Sequence, residues 1–311
     1  MSNKIFDDVS GRILKQLDEG VIPWHAPWIG YGELAPRSHL TGEVYSFLNQ
    51  ILLGRPGEYV TFGATVAEGG RVKKGAKAKA VYFWSVPKND KEDEEDEEDG
   101  KDGKDGKLLK KRPPMMRKFN VFHLDDTEGL EPKTAIEKEL RNNEGVDVDE
   151  RAEEVWRKYC ERENLNFEVD KLSATAVYSP MLDRILVPSR KQFKSEAEYY
   201  STLFHELVHS TGHEKRLKRN TFGYGTDEKA RAREELVAEI GASVLCKHVG
   251  VDSEGQFQNN VAYIERWKSF LEEEKGAFIY AACRAQKAVD FILGKSPKHL
   301  DECDKYFRFN K

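Results

Sequence analysis

The chain has 311 residues, of which 39% are hydrophobic, 34% charged and 11% aromatic. That composition excludes global disorder, the length suits two domains, and no run approaches the about 18 apolar residues that a membrane span needs. The net charge of −5 conceals a division: residues 90–99, DKEDEEDEED, hold nine acids and one lysine, so the rest of the chain carries +3.

The first twelve residues show no basic stretch leading into an apolar one. Four scattered cysteines, Cys160, Cys246, Cys283 and Cys303, form no CxxC pair. Both features read as a cytoplasmic protein with reduced thiols. Residues 3–19 place Ile5, Phe6, Val9, Ile13, Leu14 and Leu17 on one stripe, which predicts an amphipathic helix. Pro23 and Pro27 exclude a regular helix in the aromatic segment that follows. A short helix is predicted over 44–54. Two strand-like stretches then flank the acidic run, Ala80–Trp84 and Lys118–Phe122, both rich in aromatic and β-branched residues. The acidic run, with the glycine-spaced lysines after it, therefore reads as a solvated insertion at about 89–112 inside a first domain, 1–130. An acidic segment there would compete with nucleic acid for a basic face.

Residues 131–150 read as a polar connection to a second domain, 151–311. Its predicted elements are a helix near 148–163, strands at 174–178 and 183–187 joined by a turn at Ser179-Pro180-Met181-Leu182, and helices at 195–211, 226–248, 258–273 and 277–293. The fold class expected is α+β: a small mixed α/β domain, then a mostly helical one with a short sheet.

His205-Glu206-Leu207-Val208-His209 is an HExxH motif. Ser195 and Glu198 form a capping-box start ahead of it, and Gly212 supplies a stop, so the motif sits inside a helix. Residues four apart share a helix face, so both imidazoles reach one metal ion. Neutral imidazoles suit Zn2+, and Glu206 beside them is the catalytic acid–base group. A third ligand is sought in Arg233-Glu234-Glu235-Leu236-Val237-Ala238-Glu239. Glu235 and Glu239 share a face, while Glu234 points about 100° away, toward solvent. Glu235 is read as the ligand and Glu239 as the outer partner that orients a histidine; the reversed assignment is the alternative. The metzincin pattern fails, because Lys215 stands at its final histidine position and no Met-turn follows. The strand at 183–187 would be an edge beside the cleft, open to an extended peptide. Tyr224 and His248 are the guesses for an oxyanion-stabilising group.

The run Tyr199-Tyr200-Ser201-Thr202-Leu203-Phe204-HELVH-Ser210-Thr211-Gly212-His213, then Arg216-Leu217, then Arg233–Glu239, resembles the ArdC antirestriction family. Tyr263–Trp267 and Ala281–Ala288 fit it too, as do Gly69–Gly75 and Thr41–Asn49, with Phe47 where that family has glycine. The resemblance implies an N-terminal domain that binds single-stranded DNA and a C-terminal zincin-like metallopeptidase domain. It also implies the HExxH ligands, a glutamate third ligand, and protection of incoming DNA from restriction for a mobile element.

Binding a single strand needs cations along its backbone and aromatic faces for its bases. The candidate contacts are Trp24, Trp28, Arg37, Tyr45, Asn49, Arg71, Lys73, Lys74, Lys77 and Lys79; five of the nine residues from Arg71 to Lys79 are basic. Two other readings stay open. In one, the chain is a metallopeptidase that cleaves a protein partner, with the first domain as its targeting module. In the other, the metal site is structural and does no chemistry.

Overall fold

The structure is a computed structural model that describes residues 2–26, 29–32, 35–86, 114–133, 148–170, 175–219, 227–251, 261–296 and 301–309. The acidic insertion, Trp28, Tyr224 and most of the 131–150 connection lie outside the described residues. Among those described, no helix is long and apolar enough to cross a membrane.

Helix α1 (Ser2–Asp18) buries the stripe that its spacing predicts: Val9, Ile13 and Leu17 are enclosed. The first sheet has the order β1 (Arg37–Ser38), β2 (Glu58–Val60), β5 (Met115–His123), β4 (Lys79–Ser85). β4 and β5 pair antiparallel from Lys79↔Val121 to Ser85↔Met115, so the insertion joins two strands of one hairpin, as its flanks predict. A second, two-residue ladder joins β3 (Arg71–Val72) to β6 (Thr127–Glu128). Helix α2 (Phe47–Leu53) packs on β4, capped by Ser46 at its start and by Gly54, at φ +73°, at its end. Helix α3 (Phe62–Ala67) has no counterpart in the sequence reading. From α2, the Asn49 amide donates to the Tyr82 carbonyl and accepts from the Tyr82 N–H, both at 2.8 Å. It therefore supplies β4 with the backbone partners that a further strand would have given.

The second domain opens with α4 (Val148–Glu163), then a three-stranded sheet, β7 (Asn166–Asp170), β9 (Arg184–Pro188) and β8 (Val177–Ser179), in that order. This corrects the expected edge at 183–187. β9 is the central strand, parallel to β7 and antiparallel to β8. The sequence Asn166-Phe167-Glu168-Val169-Asp170 is short and half polar, and β7 escapes detection for that reason. Helices α5 (Glu196–Thr211), α6 (Glu228–Val249), α7 (Val261–Glu273), α8 (Ala277–Ile292) and α9 (Asp301–Phe309) complete the chain. Small residues of α8, Ala281, Ala282, Ala285 and Ala288, are fully buried where it packs on α5 and α6.

One hydrophobic cluster runs through both domains, from Val9, Trp24 and Phe47 to Leu203, Leu236 and Ala285. Trp24 meets Trp267 edge to face at 6.3 Å and Phe278 at 5.8 Å. Polar contacts add to the joint: the Phe47 N–H donates to Gln286 on α8, and Tyr31 donates to the Asp290 carboxylate. All four cysteines are buried and free.

Two stability predictions follow from these contacts. Asn49→Ala leaves the Tyr82 N–H and carbonyl buried without their amide partner, and is expected to cost about 2–4 kcal/mol in urea denaturation. Burial pushes the Asp290 carboxyl up to about 6, against the pull of Lys295. A raised folded-state pKa favours folding with the proton on, so this contribution is complete below about pH 4 and is lost as pH rises through 6. Asp290→Asn keeps an acceptor for Tyr31 and removes that loss. Thermal melts are expected to show the variant more stable than the parent at pH 8 and equal to it at pH 4.

Candidate metal centre

The helix that carries the motif starts where its cap predicts. Ser195 Oγ accepts the Glu198 N–H at 3.1 Å, and the Glu198 carboxylate reaches back to the Lys194 N–H at 2.7 Å. One turn apart on α5, His205 and His209 bring their Nε2 atoms to 3.0 Å. From α6, Glu235 Oε2 lies 3.4 Å from His205 Nε2 and 3.8 Å from His209 Nε2. Among the described residues, these three side chains form the group able to hold a metal ion. Donors in a tetrahedral shell about 2.0–2.1 Å from one ion stand roughly 3.4 Å apart, so the three separations fit such an ion. Two imidazoles and a carboxylate suit a divalent ion of intermediate softness.

The electrostatics point the same way. Burial alone would depress the His209 pKa, but Glu234, Glu235 and Glu206 around it raise it to about 10. Burial would raise the Glu235 carboxyl, yet the His205 and His209 imidazoles hold it well below the usual carboxylate range. A field that keeps a proton on a buried imidazole equally favours a cation in that proton's place. Within the motif Glu206 is buried, and its Oε2 accepts the Tyr178 N–H of β8 at 2.6 Å. The strand thereby fixes the direction of the carboxylate.

The outer partner of His209 is Glu234, which corrects the expectation of a solvated side chain. Glu234 is 5% exposed, and its Oε1 stands 3.4 Å from His209 Nδ1. The turn after α5 supplies the reason. It returns Arg219 to the helix, where the guanidinium donates to Glu234 Oε1 at 2.7 Å, to the Val208 carbonyl at 2.7 Å and to Thr211 Oγ1 at 2.7 Å. Burial would raise the Glu234 pKa, but Arg219 and His209 hold it below the ordinary range. Nothing in the local sequence pairs residues 219 and 234, so the phase of α6 alone misplaces Glu234. Arg216 plays a matching part on the sheet side, donating from within the protein to Asp183, to the Tyr178 hydroxyl and to the Ser210 carbonyl. His213 is buried in the same turn, outside the three-donor group.

Glu239 lines a cavity of about 240 Å³ with His25, Ser201, Thr202, His205, Ala242 and Ser243. His25 comes from the N-terminal domain. Its segment is pinned by Ser243 Oγ donating to the Trp24 carbonyl at 2.8 Å. Burial and the nearby Lys247 push the His25 pKa down to about 3, so the ring is neutral. His248 lies thirteen residues beyond Glu235, about 20 Å along the helix, too far to serve the metal centre.

The candidate DNA contacts divide. Trp24 and Asn49 are fully enclosed and Tyr45 is 9% exposed, which places all three in the packing of the domain and corrects their expected place on its surface. Trp24 is drawn in because the tryptophan fills the joint between domains. Asn49 is drawn in because it completes a strand edge. Arg37 donates to the Gly32 carbonyl at 3.0 Å. Arg71 pairs with Glu128 at 2.5 Å, and Lys73 donates to the Asp125 carbonyl at 2.7 Å. Lys74, Lys77 and Lys79 are exposed.

Comparison with known proteins gives each half a relative. Residues 3–122 match the N-terminal domain of the anti-restriction factor ArdC, and residues 158–284 match a zincin-like metallopeptidase family. Two curated Escherichia coli proteins named DNA primase TraC are 28% and 30% identical over 95% and 94% of this chain. The chain spans only 28% and 20% of their lengths. Two crystal structures of the antirestriction ArdC protein from plasmid R388 are also similar. The Mn(II)-bound one has a TM-score of 0.70 at 26% identity, covering 93% of this chain and 97% of the other. The metal-free one has a TM-score of 0.66 at 27% identity, covering 94% and 99%.

Because Glu234 fixes the orientation of His209, Glu234→Gln is expected to weaken metal binding about 10- to 100-fold in chelator competition. An unchanged affinity would remove Glu234 from the centre.

Proposed function

The chain belongs to the ArdC antirestriction family, and from that premise we propose that it protects entering DNA of a mobile element. In this reading the N-terminal domain binds single-stranded DNA. The C-terminal domain holds a divalent metal at His205, His209 and Glu235 and uses it as a metallopeptidase. The observation that carries the reading is the convergence of those three donors from two helices, with the buried Glu206 carboxylate beside them. Zinc is the first choice for two imidazoles and a carboxylate. The Mn(II)-bound relative makes manganese the second.

The chemistry a divalent ion supplies at such a site is Lewis-acid activation of a carbonyl and of water. The protein's own part falls to Glu206. Its carboxylate takes a proton from the attacking water and returns it to the leaving amide nitrogen. The Tyr178 N–H holds Glu206 Oε2 in place for that exchange, and Glu234 keeps His209 turned so that Nε2 faces the ion. The substrate is a protein partner rather than the DNA itself, since this donor set with an adjacent glutamate is suited to amide hydrolysis. A structural metal would need no carboxylate free to carry protons beside it, and Glu206 is the feature that favours catalysis.

Glu206→Gln is expected to lower peptide hydrolysis by at least about 100-fold while metal content and oligonucleotide affinity stay as in the parent. Turnover that survived the substitution would refute the catalytic part. Retained protection of DNA in the same variant would assign protection to binding alone.

A further inference from the structure

The β4–β5 hairpin presents two faces; the fold covers one, and only the inner end of the other. Ala80, Tyr82 and Trp84 with Met116 face α1, α2 and the main core. Lys118, on that same face, pairs with Asp8 of α1 at 3.2 Å. The opposite face carries Lys79, Val81, Phe83 and Ser85 across from Val121, Phe119, Arg117 and Met115. Its inner end is closed, because Val81 and Val121 bury with Tyr45, Leu53 and Tyr59. Its outer end is open. Phe83 is 44% exposed and Phe119 45%, their rings edge to face with centroids 5.7 Å apart. Tyr45 continues the aromatic row, 6.1 Å from Phe83.

Cations frame these rings. Arg117 is the direct cross-strand partner of Phe83, and Lys79 stands on the same face two residues before Val81. Lys74 and Lys77 lead into the strand. All four are exposed, and none has an ion pair among the described residues. Burying two phenylalanines would be the ordinary outcome for a hairpin with helices at hand. Here the rings stay exposed while a guanidinium sits directly across the ladder from one of them. A partner that is apolar throughout would leave Arg117 and Lys79 desolvated and unpaired. A single-stranded nucleic acid satisfies both sets of groups, offering flat bases to the rings and phosphates to the cations.

We propose that single-stranded DNA binds across the outer face of β4 and β5, with bases stacked on Phe83 and Phe119 and phosphates on Arg117 and Lys79. Lys74 and Lys77 extend the phosphate track. This rests on the single-strand-binding reading above and gives it a surface, which is not the one marked by the buried tryptophan and asparagine.

The test is fluorescence anisotropy of the full chain with a fluorescein-labelled oligothymidylate of about 16 nucleotides across a salt series. Phe83→Ala and Phe119→Ala are each expected to weaken binding about 5- to 150-fold without altering the salt slope. Arg117→Gln and Lys79→Gln are each expected to reduce the magnitude of that slope by about 0.7. Both rings are exposed, and urea denaturation of each variant should match the parent. Phe62→Ala removes a more exposed ring, at 61%, from α3 and is expected to leave affinity unchanged. Binding that persists in the doubly substituted Phe83→Ala/Phe119→Ala chain would overturn the surface and leave the single-strand reading standing. Equal affinity for a duplex of the same length would also overturn it, since paired bases offer no faces to stack. If the parent chain binds no oligonucleotide even at low salt, the function proposed above fails, and this surface with it.

Discussion

Where α5 crosses α6, Gly241 lies so close to Val208 that a Cβ on it would stand 2.7 Å from one methyl carbon and 3.1 Å from the other. Val208 is β-branched and fully buried, so it cannot turn aside. The convergence of His205, His209 and Glu235 depends on that approach. A single helix turn supplies two imidazoles, and a third donor has to come from another backbone. Donor separations of 3.0 to 3.8 Å leave no slack for a wider crossing. Gly241 lies six residues after Glu235 and Val208 one before His209, so the crossing and the donors belong to the same two turns.

The same crossing concentrates acid. Glu206, Glu234 and Glu235 all lie within the field of His209, and a buried carboxylate without compensation is expensive. Each is offset differently. A strand N–H takes Glu206, a guanidinium from the turn after α5 takes Glu234, and the two imidazoles take Glu235. The different partners separate the roles. Glu234 is locked by two neighbours and acts on His209 alone. Glu235 faces the point where the donors meet. Glu206 has its Oε2 held by the Tyr178 N–H of β8.

The helix that carries the HExxH motif was legible in the sequence because its information is local: cap, apolar period, two histidines four apart and a terminal glycine. Glu235 was legible because it sits on an apolar stretch where an acid needs a partner. Glu234 was not, since its burial comes from Arg219, fifteen residues earlier and on another segment. Strands were expected at 174–178 and 183–187 and lie at 177–179 and 184–188, but the place of β9 in its sheet depends on the parallel pairing of β7, a contact across a crossover that periodicity cannot see. In the first domain, alternation showed two faces on β4 and β5 and could not say which one the helices would cover. Trp24 illustrates the same limit: a tryptophan between prolines is equally suited to stacking and to packing, and here the core at the joint between domains takes it.

That packing decides how the two domains relate. Joints between domains are ordinarily polar and modest in area. This one is closed by Trp24, which is fully buried against Trp267 and Phe278. At about 25 cal/mol per Å², withdrawing a side chain of that size would cost about 4–6 kcal/mol as an upper estimate. The next residue, His25, is carried into the wall of the cavity beside His205. The N-terminal domain is thus a structural part of the cleft next to the metal donors, through a segment held by Ser243 and Lys247 of α6. Separating the domains would remove the His25 wall of that cavity and expose Trp24, so the packing of the two halves is part of how the cavity is built.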